Sequence, residues 1–171
     1  VTVARWSPAP GATVALDVAG PTAADAVVVT GEQADLGPVA VTHAFVGGYS
    51  PVAGDRWTSF AGVAGAPASV AAPEVAGRRV AQVAVGSTSV LTVDDCVAPT
   101  YSPGASLAGA SLDGLHLFAC GLAGADLSAA SAVATDLAQA DLAGVEGRGA
   151  VLRDADLTGA DLSGADLTDA V

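Results

Sequence analysis

At 171 residues the chain has room for one or two small domains, and a formal net charge of −12 with a pI near 4.1 argues against a phosphate-binding surface. Aromatics make up only 4% of it, the two histidines share no ligand-like spacing, and two cysteines are too few for a disulfide framework or a thiolate metal set. No stretch has the pattern of a signal peptide or the length of a bilayer span, so the expected product is made in the cytoplasm and does not insert in a membrane. Lys, Met, Ile and Asn are absent. Their codons are AT-rich, so the chain reads as the product of a GC-rich genome, actinobacterial or from a phage of such a host. Val1 then reads either as a GTG-encoded start or as a processed terminus.

In chain order, the first hundred residues hold six short runs rich in Val and Thr: 12–18, 26–31, 39–46, 56–63, 78–86 and 88–95. Several alternate apolar with small or polar residues, the period of half-buried strands. Gly- and Pro-containing stretches at 47–55 and 65–77 read as loops. The expected architecture for residues 1–97 is an antiparallel β-sandwich. A Pro-containing junction, 98–104, follows as a linker. RWTSF (56–60) and the closing TSVLTVDDC (88–96) resemble the second half of jelly-roll modules of the carbohydrate-binding type, which occur in phage structural proteins. That resemblance implies an eight-stranded, jelly-roll-like sandwich, and names Asp94 and Asp95 as candidates for a structural Ca²⁺. Trp6, Tyr49, Trp57 and Tyr101 are the aromatics that could stack on sugars, with Trp57 read first as core.

From Ala105 the texture changes. Residues 105–169 divide without insertion into thirteen pentads, from ASLAG to ADLTD, and the third position is Leu in eleven of them. The exceptions are Ala132 and Gly147. An α-helix would scatter leucines spaced by five around its axis, and a flat strand would alternate them between faces. All can point inward only if the backbone turns a corner once per pentad. Four pentads then close a square coil, and stacked coils supply one another with backbone partners. Residues 105–169 resemble the pentapeptide-repeat family, whose motif is A(D/N)LXX. The resemblance implies a right-handed four-sided β-helix over 105–171. Its core would be Leu107, Leu112, Leu117, Leu122, Leu127, Leu137, Leu142, Leu152, Leu157, Leu162 and Leu167, with the mostly Ala first positions filling the corners. Cys120, at a first position, reads as a small buried hydrophobe, and pairing with Cys96 stays open. VEGRG (145–149) reads as a local bulge with Glu146 and Arg148 outward.

Ten of the 18 acidic residues follow residue 100, against only Arg148 and Arg153. Residues twenty apart should stack, which aligns Asp126, Glu146 and Asp166, sets Asp136 over Asp156, and sets Asp141 over Asp161. These acids read either as ordinary turn chemistry, each accepting backbone N–H bonds at its corner, or as an imitation of duplex DNA. Some pentapeptide-repeat proteins mimic DNA toward type II topoisomerases.

No phosphate loop, nucleophile elbow or dinucleotide fingerprint is present, so the expectation is a protein that is not an enzyme and carries no cofactor beyond that Ca²⁺. The leading functional reading is a structural or interaction protein of a phage virion, a capsid decoration or minor tail protein, with other virion proteins or further copies of itself as partners. Leu162, Leu167 and Val171 are the candidate C-terminal contact. The alternatives are a cytoplasmic DNA mimic that binds gyrase and a carbohydrate-binding surface module.

Overall fold

The computed structural model describes residues 2–3, 12–20, 22–24, 26–29, 34–35, 39–64, 69–71, 75 and 77–171; Trp6 lies outside them. The chain divides into two units, Val1–Val93 and Asp94–Val171. Among the described residues all regular structure is β.

The first unit opens with β1 (Thr2–Val3), β2 (Thr13–Gly20), β3 (Ala23–Ala24), β4 (Val27–Val29) and β5 (Ala34–Asp35). It continues with β6 (Ala40–Phe45), β7 (Arg56–Ala61), β8 (Val63–Ala64) and β9 (Ser69–Ala71), and closes with β10 (Arg79–Val85) and β11 (Thr88–Asp94). One sheet runs β1-β4-β7-β11-β10, a second β3-β2-β6-β9, and β5 pairs with β8. Inward residues of both large sheets meet in two clusters. Leu16, Val39, Val41, Phe60 and Val63 form one, and Val18, Trp57, Leu91 and Val93 the other.

The all-β class holds, and β11 pairs antiparallel with β7 and β3 with β2. The jelly-roll topology does not. A jelly roll is built from antiparallel strands, whereas here β1–β4–β7, β2–β6–β9 and β5–β8 are three parallel ladders. Thr13 faces Ala40 and Ala40 faces Ser69, steps of 27 and 29 residues; Ala34 faces Val63, again 29 on. The β1–β4–β7 ladder steps by 26 and then 33 residues, and parallel recurrence of this kind on three sides is the topology of a wound coil. The β10–β11 pair, joined through Gly86 at φ 58°, closes it on β7. Alternation along a strand reports which face is buried and is silent on the direction of the neighbour. For the same reason β9, inside a stretch read as loop, was not apparent.

The second unit is the coil that the pentads predict. Ser106 bridges Asp126, Asp126 bridges Glu146 and Glu146 bridges Asp166, all parallel, and the other sides repeat this twenty-residue step. From Leu107 to Leu152, each third-position N–H donates to the second-position carbonyl of the next coil, as Leu117 to Asp136 at 2.8 Å. From Asp126 onward each second-position N–H donates back to the first-position carbonyl of the coil before, as Asp136 to Leu115 at 2.9 Å. Corners close from one pentad to the next, the first-position N–H reaching the preceding third-position carbonyl, as Ala110 to Leu107 at 3.0 Å. The fifth position takes the left-handed conformation throughout, from Gly104 at φ 70° to Asp169 at 61°. The arrangement is that of a type II turn, and it explains why Gly recurs at that place.

Ten of the eleven third-position leucines lie in or against one core cluster; Leu117 and Leu122 are fully buried, Leu152, Leu157 and Leu162 are partly so, and Leu167, outside the cluster, is also partly buried. Two corrections follow. Residues 98–104 belong to the second unit and are not a linker: Gly104 N–H already donates to Ala123 at 2.9 Å and Ala105 N–H to Ser102 at 3.0 Å, the ladder and corner bonds of a further pentad without leucine. VEGRG is not a bulge. Gly147 N–H keeps its bond to Asp166 at 2.8 Å, and the missing leucine is compensated from two sides. Val145 fills its corner, and a Cβ at Gly147 would stand 2.7 Å from Leu167 Cδ2, so Leu167 occupies the space.

Candidate interaction surface of the repeat rod

The outer face of the rod is set by the second and fourth positions of each pentad. A second-position Asp stands between a buried leucine and the corner, and its carboxylate turns back over that corner. Asp126, Asp136, Asp141, Asp156, Asp161 and Asp166 each accept the N–H two residues on, at 2.9 to 3.2 Å. This is the Asx turn, and it satisfies an N–H that the corner would otherwise leave unpaired. The acids are therefore turn-makers.

Their ionisation follows from the same bonds. The Ser128 N–H and hydroxyl hold the Asp126 carboxyl below its ordinary range, and Ser163 does the same for Asp161. Asp166 is pushed down to about 2 by the Thr168 hydroxyl and N–H, with Arg148 adding its guanidinium at 2.6 Å. Strand spacing places like carboxylates of adjacent coils on the order of 5 Å apart. The donors offset their repulsion and favour the charged form of Asp126, Asp161 and Asp166.

Where the pattern lapses, a neighbour compensates. Ser131 occupies a second position without a carboxylate. Asp113, from the coil before, accepts the Ser131 hydroxyl at 2.6 Å and the Val133 N–H at 2.8 Å, the bond an Asp at 131 would have made. Inside the rod Thr135 fills a first position and donates to the Leu112 carbonyl at 2.8 Å. His116 is outward, its Nδ1 3.9 Å from Asp136 Oδ2.

Asp94 and Asp95 are engaged with the backbone. Asp94 accepts the Cys96 N–H at 3.1 Å, and Asp95 accepts the His116 N–H at 3.1 Å. No group of three or more His, Cys, Asp or Glu that could hold a metal ion occurs among the described residues. Cys96 and Cys120 form a disulfide, which settles the pairing left open by the sequence. Cys120 is buried as expected of a corner residue, but as half of a cross-link. At the far end Leu162 and Leu167 are partly buried and Val171 is 73% exposed.

In the first unit Tyr49 and Trp57 come together with Phe45, a partner missed in the sequence. Ring centroids lie 6.0 to 6.4 Å apart in edge-on or tilted contacts. Trp57 is buried and donates to the Gly20 carbonyl at 2.9 Å, and the Tyr49 hydroxyl is taken by Asp55, which helps push it up to about 12 after burial. The rings extend the core and present no flat platform for a sugar. His43 sits in no ligand-spaced cluster in the sequence. It is buried, with Nε2 3.1 Å from Ser59 Oγ, in a chain that runs on through Gln82 to Ser89.

Residues 133–169 match the family model described as Pentapeptide repeats, in eight copies. No curated protein matches the chain. Among solved structures, HetL, a pentapeptide repeat protein involved in heterocyst differentiation regulation from the cyanobacterium Nostoc sp., is 19% identical. That alignment covers 98% of this chain and 88% of the other at a TM-score of 0.17, too low to carry a structural inference. The family match over residues 133–169 lies inside the twenty-residue ladder, which runs from Ser106 to Asp166, and over that stretch both describe the same pentapeptide repeats.

Proposed function

We propose that this protein is a non-enzymatic structural component whose repeat domain is a rigid interaction surface, and that the assembly it serves is a phage virion from a high-GC actinobacterial system, as a capsid decoration or minor tail protein. The observation that carries the reading is the fixed acidic face. Carboxylates recur every twenty residues on a backbone bridged from coil to coil, and the aspartates among them are held by their own turns. A face of that kind recognises a partner by register and charge complementarity, without chemistry. The partners would be other virion proteins or further copies of the chain, not nucleic acid.

The cytoplasmic alternative, a DNA mimic on gyrase, draws on the same charge. The surface-module alternative needs exposed ring faces, and the three clustered rings are spent on packing. The test is to band dense particles from the source on a gradient and search particle and soluble fractions by mass spectrometry. Stoichiometric recovery with intact particles is expected. Recovery in the soluble fraction alone would overturn the virion reading and make a gyrase supercoiling assay decisive for the alternative.

A further inference from the structure

The first coil of a solenoid has no coil before it, so its edge and its leucines need a cover. On one side that cover comes from the start of the second unit. The Asp95 N–H donates to the His116 carbonyl at 2.8 Å, and the Asp95 carboxylate accepts the His116 N–H. Both backbone groups of His116 on that edge are thereby answered by one residue. Asp94 fixes the approach by accepting the Cys96 N–H, and Tyr101 lies against the rod core. Cys96 and Cys120 enter that same core, 5% and 0% exposed, and are bonded to each other across 24 residues of chain. They are the only cysteines in the sequence.

Two hydrogen bonds on an edge fray easily; a cross-link beneath them does not. We infer that the Cys96–Cys120 disulfide locks the N-terminal cap of the repeat rod, and that the protein therefore matures and works in an oxidising setting, outside the reducing cytoplasm. Structural disulfides persist in such compartments and are rare where thiol reductants dominate. The bond forms by thiol–disulfide exchange. The two protein thiols pass two electrons and two protons to a disulfide donor, which leaves as two thiols. Once closed, both sulfurs are shielded, so reductants reach them only when the cap opens. The inference goes beyond the virion reading and does not depend on it. A released particle and a cell surface both satisfy it, and a cytoplasmic gyrase ligand does not.

The test has two arms on the full chain. Protein recovered from its source, acid-quenched and alkylated, should yield a linked Cys96–Cys120 peptide and remain unalkylated until it is both denatured and reduced. Free, alkylated thiols at both positions would overturn the inference, and finding them in protein that bands with particles would leave the virion reading standing. In the second arm, the variant C96S/C120S should show hydrogen exchange at the His116 amide faster by about tenfold or more, with Asp156 and Asp161 amides unchanged. Unchanged protection of His116 would remove the lock. If that variant does not fold, the thiol state of the source protein decides alone.

Discussion

Position 5 of each pentad holds φ between 51° and 70° whichever residue occupies it, and Ala119, Ala129 and Ala134 do so without the freedom of glycine. For an alanine that region costs roughly 1–2 kcal/mol, partly offset by the greater unfolded-state entropy of glycine. Ala129→Gly is therefore expected to stabilise the rod by up to about 1 kcal/mol. Gly124→Ala, whose Cβ would meet nothing within 4 Å, should destabilise it by a similar amount through the backbone alone. Urea unfolding of both variants checks the pair, and equal midpoints would show that backbone strain is not what places glycine there. The second position makes a parallel case. Asp161→Asn keeps an acceptor for the Ser163 N–H, and Asp161→Ala loses it. Melting temperature should fall further for the alanine variant, and the opposite order would mean that charge, not the turn bond, is what the position supplies.

At the scale of the element, the five-residue period made the rod legible because only a corner per pentad points every leucine inward. The same reasoning misjudged the places where one coil compensates for another. Gly147 looked like a defect, yet Leu167 from the next coil fills its space, and Ser131 lacked a carboxylate that Asp113 provides. Neither exchange has a local signal, since the compensating residue lies about one coil away. Gly147→Leu, which restores the repeat motif, is thus expected to lower stability by about 1–3 kcal/mol through overpacking against Leu167. Leu137→Ala, in a fully stacked column with 1% exposure, should cost about 2–5 kcal/mol. A thermal melt in which Gly147→Leu gains stability would show that the space at 147 is not filled. The first unit was less legible. All six strand runs lie where the sequence put them, but their winding into parallel ladders depends on pairing direction, which side-chain alternation does not encode. The disulfide was equally hidden, because Cys96 precedes the repeats and Cys120 has the size and place of an ordinary corner residue.

At the scale of the molecule, the two units carry different acid sensitivities. In the first, burial pushes His43 down from its ordinary 6.5 to about 4, and its Nδ1 has no partner among the described residues. The folded state binds this proton more weakly than the unfolded chain does. The contribution of His43 is therefore complete above about pH 6.5 and is lost as pH falls toward 4. In the second unit, Asp126, Asp161 and Asp166 are held below their ordinary value of 3.8, Asp166 at about 2. Their contribution is complete above that value and is lost only as pH falls through the lowered pKa values. Acidification should then weaken the first unit between pH 6.5 and 4 while the rod remains intact to about pH 4. Hydrogen exchange followed by mass spectrometry reads each unit separately, and both tryptophans lie before residue 94, so their fluorescence follows the first unit alone. His43→Gln, which keeps a polar partner for Ser59 but cannot titrate in this range, should abolish the first transition and leave the second in place. If both units lose protection together near pH 3 in the unmodified protein, buried His43 does not govern the first, and its stability must rest on groups that titrate with the carboxylates.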